Sequence, residues 1–434
     1  MKRPLLRNLT LHPYSGLTQD ISGNINPPEE SDGDGMTFVL EDPEGFAPQL
    51  AIPTDMAVLL TLFDGQHTLP EIAADFAELT GVKLSANELV EMVGHFDTLH
   101  MLDSPAFHEF LQAEIDEFRR LSVRPARMAG GAYEEEPHML RLQLENVLAI
   151  PAKIRQAEGT AVKEKPIRAV IVPHLDPHRG AASYGWAYEA IRDRNASELF
   201  IIFGTSHNPM KQPFALTAKS FATPIGTLST DAEFVARTAE KFADIDVLAD
   251  EFVHRDEHSV EFQAIFLRHA VANVAKREIR IVPILVNSGQ RFMEAKETPE
   301  NSLEIRALAE TLAELIREEE SRTGKPVCVI AAVDFSHAGP IYGQREEVDA
   351  AAQDRLREED TRLFERILAS DTSGFWADIP HSRDKFHGSG LTPVLVFMEL
   401  LKTLGVSECG ELLSYEQAVD EETRSCVTFA AMVF

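Results

Sequence analysis

The sequence predicts an α/β fold for most of the chain, a mixed sheet flanked by helices, preceded by a smaller helical module. Three observations carry this expectation. From Ile167 onward, short runs that are apolar on both faces alternate with helical patterns. Continuous apolar runs mark strands covered by helices on both sides. Three of the four runs end in a polar cluster that contains histidine. Upstream, three short helical stripes with polar starts stand apart from the rest. At 434 residues, 44 % hydrophobic and 26 % charged, the chain is long enough for two or three domains and a large core.

Residues 1–35 are expected to be a flexible N-terminal segment, because Ser22 to Gly35 reads SGNINPPEESDGDG, polar and rich in turn formers. Met56, Leu59, Leu60 and Phe63 form a helical stripe after Thr54, ended by Asp64-Gly65. Thr68 with Glu71 makes a capping-box signature before Ile72, Phe76 and Leu79, and Gly81 stops that helix. Ser85 with Glu88 repeats the signature before Leu89, Met92, Val93 and Phe96. Three short helices flanked by short strands predict a winged-helix-like module over residues 36–105. Residues 106–165 are expected to form a helical linker region. It has a helix over Phe107 to Leu121, a linker from Arg124 to His138 and a helix from about Leu140 to Gln156. The main boundary is expected between Ala157 and Lys165, and the α/β domain over residues 166–434.

Charge narrows the partners. The formal net charge is −29, and between Met36 and Asp103 twelve acidic residues face one Lys, Lys83. Phosphates would be repelled, so neither nucleic acid nor an anionic membrane surface is expected as a partner. The three cysteines, Cys328, Cys409 and Cys426, suit no disulfide framework and no thiolate zinc site, which points to a reducing, cytoplasmic compartment. No window approaches the length of a membrane span. The N-terminal module resembles the small PqqD-like winged-helix modules that hold peptides for radical-SAM enzymes. That resemblance implies a peptide or a radical-SAM protein as partner.

The apolar runs are IRAVIVPH (Ile167 to His174), LFIIFGTSH (Leu199 to His207), IRIVPILVNSG (Ile279 to Gly289) and VCVIAAVDFSH (Val327 to His337). Between the last two, Asn301 is expected to cap a helix carrying Ile305, Leu308, Leu312, Leu315 and Ile316. Ligands of open α/β sheets bind beyond the carboxyl ends of the strands. His174, His207 and His337 occupy equivalent strand-end positions and are expected to share one site. His387 is a fourth candidate, in the Gly-rich turn Phe386 to Gly390 that opens the apolar helix Thr392 to Leu401. If Asp256 to Glu261 opens a helix, His258 and Glu261 share one face at i, i+3. Imidazole beside carboxylate is the composition of a metal site and its surroundings. Asp256 and Glu257 read instead as a solvated, acidic helix start.

In order, PHLDPHRG (Pro173 to Gly180), GTSH (Gly204 to His207), TPIGTLSTD (Thr223 to Asp231), DEHSVE (Asp256 to Glu261), IVPILV (Ile281 to Val286), DFSHAG (Asp334 to Gly339) and HGSG (His387 to Gly390) resemble the Memo family. They are similar to the version called AmmeMemoRadiSam system protein B, and the resemblance covers about Ile167 to Phe434. It implies a fold similar to class III extradiol dioxygenases, non-haem iron enzymes that open catechol rings. It implies that His174 and His207 bind a divalent metal, Fe(II) or Cu. His387 stands where the family has its third ligand, a Cys, and three imidazoles suit Zn as well. His258, Asp334 and His337 match positions around the pocket, which implies acid–base roles, and Glu261 joins them on the helix face of His258.

These residues support three readings. The first is a metal-dependent, dioxygenase-like redox enzyme acting on an unidentified small molecule, with His258 or His337 transferring the proton. The second is a non-catalytic protein that binds a peptide or a partner beside radical-SAM machinery. The third is a zinc hydrolase, which lacks a general-base motif such as HExxH.

Overall fold

The computed structural model describes residues 2–13, 37–159, 165–242, 245–287, 302–379, 390–406 and 409–434. By packing the chain divides into two compact units, Met1–Arg120 and Leu121–Phe434.

The first unit holds strands β1 (Thr10–Pro13), β2 (Thr37–Glu41) and β3 (Leu50–Pro53) in one antiparallel sheet of order β1-β2-β3. Helices α1 (Thr54–Thr61), α2 (Leu69–Thr80), α3 (Ala86–Thr98) and α4 (Pro105–Arg120) follow. Both capping boxes form: Glu71 Oε2 accepts the Thr68 amide at 2.8 Å, and Glu88 Oε2 accepts the Ser85 amide at 2.8 Å. Leu59, Ile72, Leu89, Met101 and Leu102 fill the unit's core. The expectation that residues 1–35 are flexible is corrected for Thr10–Pro13, which pair with β2, while residues 14–36 lie outside the described residues. The cause is local. The buried Arg7 guanidinium pairs with Asp42 at 2.8 Å and lies 3.9 Å over the Phe107 ring.

The second unit begins earlier than the composition suggests. Strand β4 (Val123–Arg124) runs parallel to β8 (Ser220–Phe221), and the fully buried Arg124 donates through Nε to His254 O at 2.6 Å and pairs with Glu261. Residues 124–138, expected as a linker, are thus tied into this unit. The single helix expected from Leu140 to Gln156 is two, α5 (Pro137–Leu148) and α6 (Ile150–Glu158). Pro151, in the first turn of α6, has no amide to continue the ladder. Leu140, Leu144, Val147 and Leu148 of α5 pack into the core below.

The nine-stranded sheet follows the order β12-β14-β5-β11-β6-β10-β7, with β13 beside β14 and β9 beside β10. Its centre is parallel: β5 (Ala169–Val172), β11 (Val327–Ala332), β6 (Leu199–Thr205) and β10 (Arg280–Val286). These are the four apolar runs of the sequence. Its margins are antiparallel: β7 (Phe214–Leu216) against β10, and β14 (Ser425–Val433) against β5, β12 (His337–Ala338) and β13 (Glu411–Asp420). Strand β9 (Ser229–Thr230) extends the β10 side in parallel.

Side-chain alternation sends Ala169 and Ile171 to one core layer and Val170 and Val172 to the other. On the first face lie helices α8 (Ala232–Lys241), Leu303–Thr323 and Leu391–Leu404. On the second lie α5, α7 (Ala181–Arg194) and α9 (His258–Phe266), which runs on into a π-helix over Leu267–Val274. The cap expected at Asn301 is Ser302 among the described residues: its Oγ accepts the Ile305 amide at 3.4 Å, and Asn301 lies outside them. No described helix is long and apolar enough to cross a membrane.

Candidate metal centre

Four parallel strands in the order β5-β11-β6-β10 bring their carboxyl ends to one edge of the sheet, and the chemistry gathers there. His174 leaves β5 by two residues. Its amide donates to Asp334 Oδ1 at 3.1 Å, and its Nδ1 lies 2.9 Å from Ala332 O on the neighbouring β11. A carbonyl only accepts, so Nδ1 carries the proton and the lone pair sits on Nε2. His207 leaves β6 in the same way. Its amide donates to Glu257 Oε2 at 2.9 Å, and its Nδ1 lies 3.1 Å from both Glu257 oxygens, which again leaves Nε2 as the lone-pair nitrogen.

His258 is the first residue of α9, as its spacing with Glu261 anticipates. Glu257 caps that helix, accepting the Ser259 amide at 2.9 Å. Ser259 Oγ donates to Thr205 O at 2.9 Å, and Gln263 Nε2 donates to Pro173 O at 3.1 Å. The helix start is therefore tied to the ends of both histidine-bearing strands.

The result is a cluster of three imidazoles. Ring centroids are 5.0 Å apart for His174 and His207, 5.6 Å for His174 and His258, and 4.5 Å for His207 and His258. One ligand nitrogen from each falls within 4.8 Å of the other two, so the three could hold a metal ion. The donor set fits one: neutral imidazoles suit Fe, Cu and Zn, and two of the three rings are oriented by an acceptor at the far nitrogen. His174 is buried, whereas 39 % of the His207 side chain remains accessible, so the cluster is reachable from solvent on one side.

Electrostatics agree with neutral rings at two positions. Burial lowers His174 to about 4, helped by the charge of His207, and burial likewise lowers His258 to about 4. Burial opposes the His207 imidazolium too, but the Glu257 carboxylate outweighs it and raises this group above its ordinary value. Burial works against the Glu257 charge, yet His207 and then His258 hold that carboxyl well below the usual range.

Asp334 follows β11 and touches the cluster through His174, with Oδ2 3.6 Å from Nε2. Burial raises its carboxyl. His337 stands in β12, its Nδ1 3.1 Å from Phe335 O and its ring edge-on to Tyr342 at 5.0 Å. Burial lowers it to about 4. Glu261 lies on α9 with both oxygens engaged. Arg124 and the Arg127 amide (3.1 Å) donate to Oε2, and the Met128 amide (2.9 Å) and Tyr133 hydroxyl (2.5 Å) to Oε1. In this arrangement it anchors residues 124–133. His387 lies outside the described residues, which resume at Gly390 before the helix Leu391–Leu404.

Sequence reasoning made His174, His207 and His387 the metal ligands and set His258 and His337 apart as proton-transfer groups; the structure brings His258 to His174 and His207, while His387 lies outside the described residues. Sequence reasoning also missed Glu257, read as solvated and found 3 % exposed. The available signal was the carboxylate directly before a histidine in DEHS.

Residues 124–433 match the Memo-like protein family. A MEMO1 family protein of Aquifex aeolicus is 27 % identical over 405 residues, spanning 92 % of this chain and 96 % of that relative, so the match extends into the first unit. MEMO1 family proteins of Thermococcus onnurineus (28 % identical, 72 % of this chain, 99 % of the relative) and Thermus thermophilus (25 % identical, 85 % and 99 %) are similar as well. With the family match spanning the whole sheet and its strand-end histidines, this chain belongs to the Memo-like protein family.

Proposed function

We propose that the second unit is a metal-dependent enzyme of non-haem, dioxygenase-like redox type, acting on a small molecule in a reducing compartment. His174, His207 and His258 are its metal ligands, and His387 is a further candidate ligand. The observation that carries the reading is the convergence of three imidazole nitrogens within 4.8 Å at the strand ends of an α/β sheet. Bound there, Fe(II) or Cu supplies redox chemistry, and Zn would supply Lewis acidity instead.

The chain's own residues supply the rest. His174 and His207 present Nε2 because Ala332 O and Glu257 hold their Nδ1 protons. Burial keeps His337 neutral and makes it a weak base, so it can accept a hydrogen bond from a bound molecule rather than hold a proton at neutral pH. Asp334, raised by burial and joined to the His174 amide, can hold one beside the cluster.

Elemental analysis of protein purified without added metal, with and without oxygen, tests this. About one transition-metal ion per chain is expected in the wild type, lost in His174→Ala and His207→Ala. Retention of wild-type metal content by both variants would overturn the reading. His387→Ala then reports whether that residue completes the site: reduced content supports it as a ligand, and unchanged content removes it.

A second reading, peptide or partner binding by the first unit beside a radical-SAM enzyme, is favoured by the exposure of Leu79 (65 %) and Val90 (54 %) on an otherwise acidic unit. Replacing both with Asp is expected to abolish co-elution with the radical-SAM partner while the metal content stays unchanged. Co-elution that survives the substitutions would remove this reading.

A further inference from the structure

We propose that Glu257 is the positioning residue of this metal centre: one buried carboxylate orients His207, caps the helix that presents His258, and supplies the negative charge that a bound dication balances. The proposal rests on the reading of the three-histidine cluster as a metal site.

Three observations point to it. The first is geometric. Both Glu257 oxygens lie 3.1 Å from His207 Nδ1, and Oε2 also accepts the His207 amide at 2.9 Å, so ring and backbone of this ligand are held by the same group. The second is that Oε1 accepts the Ser259 amide at 2.9 Å, which starts α9 at His258. Two ligands from distant parts of the sequence, a strand end and a helix start, are registered against each other through this one side chain.

The third observation is charge. Glu257 is 3 % exposed, and among the described residues the side chains within ion-pair distance of it are imidazoles, His207 at 3.1 Å and His258 at 3.5 Å. An isolated buried carboxylate is costly unless a cation compensates it. The nearby Arg124 does not serve, because its Nη2 donates to the Glu257 main-chain carbonyl at 2.8 Å. Asp334, the other carboxylate beside the cluster, accepts the His174 amide through Oδ1 at 3.1 Å, while its Oδ2 lies 3.6 Å from His174 Nε2, beyond hydrogen-bond length. Among the described residues, Glu257 is the carboxylate in direct hydrogen-bond contact with the ring of a proposed ligand. A carboxylate in that position orients the imidazole, fixes its tautomer and strengthens it as a donor.

Co(II) titration of the full chain, followed by its visible absorption band, tests the proposal. Glu257→Gln keeps an acceptor for His207 Nδ1 and removes the charge. Affinity is expected to fall roughly 10- to 100-fold, with a changed band shape and an unchanged far-UV circular dichroism spectrum. A purely structural carboxylate would leave band and affinity as they are. His207→Ala separates the two ideas. If it binds Co(II) like the wild type, the metal-centre reading fails. If it loses binding while a folded Glu257→Gln keeps wild-type affinity and band, the metal centre stands and the role of Glu257 is refuted. Should the Gln variant lose its helical signal, Glu257→Asp replaces it. That change withdraws the charge by one methylene and is expected to weaken Co(II) in the same sense, and wild-type affinity there would refute the proposal equally.

Discussion

Two buried carboxylates show how the same functional group is put to different ends by its neighbours. Glu257 is held ionised by imidazoles, whereas Asp360, in the helix Ala350–Leu368, is hydrogen-bonded by hydroxyls. Its Oδ1 accepts Ser336 Oγ and its Oδ2 accepts Tyr415 OH, each at 2.8 Å. Burial raises its carboxyl from 3.8 to about 6, against the pull of the hydroxyls. A native value above the unfolded one means that the folded protein binds the extra proton. The resulting stabilisation is complete below about pH 4 and is lost as pH rises through about 6. At one pKa unit per 1.36 kcal/mol, the span corresponds to about 3 kcal/mol. Asp360→Asn cannot titrate. The difference in unfolding free energy between wild type and variant, measured by urea denaturation, is therefore expected to move by roughly 2 kcal/mol in favour of the wild type between pH 7 and pH 4, most of the full span. A difference that stays constant with pH would refute the assignment.

At the scale of elements, legibility followed the range of the interaction. Strands β5, β6, β10 and β11 were visible as apolar runs because both faces are buried, and their histidine-bearing ends fell together because parallel strands share a direction. Capping boxes at Thr68 and Ser85 were visible because donor and acceptor lie three residues apart. The rest depended on partners far away in sequence. Arg124 reads as part of a linker until Glu261, 137 residues on, takes its guanidinium. Glu257 reads as a solvated cap until His207, 50 residues earlier, is laid against it. A close approach of strand and helix permits this. At Gly204 in β6 a Cβ would fall 2.6 Å from Ser259 Oγ and 2.8 Å from a methyl of Val260, so only glycine lets the start of α9 seat against the strand and bring His258 to His207. No periodicity or charge pattern in a single sequence announces that contact.

For the molecule as a whole, the metal proposal has a consequence that divides along the chain. All three imidazoles lie in the unit Leu121–Phe434, and none in Met1–Arg120. A ligand that binds only the folded form stabilises it by RT times the logarithm of one plus its concentration over Kd, about 2.7 kcal/mol at a metal concentration of 100 Kd. That energy acts on openings that break the site and leaves unrelated local openings as they were. The strand ends that carry the site belong to β5, β6 and β11, and α9 docks on them through Ser259 and Gln263. Amide hydrogen exchange with and without Co(II) should therefore slow in β5, β6, β11 and α9 by up to roughly 100-fold, matching that free energy. Exchange in the strands and helices of Met1–Arg120 should be unaltered. Equal slowing in both units would mean that the metal acts elsewhere or that openings of the two units are not separate events. Slowing in neither would leave the cluster without a bound ion.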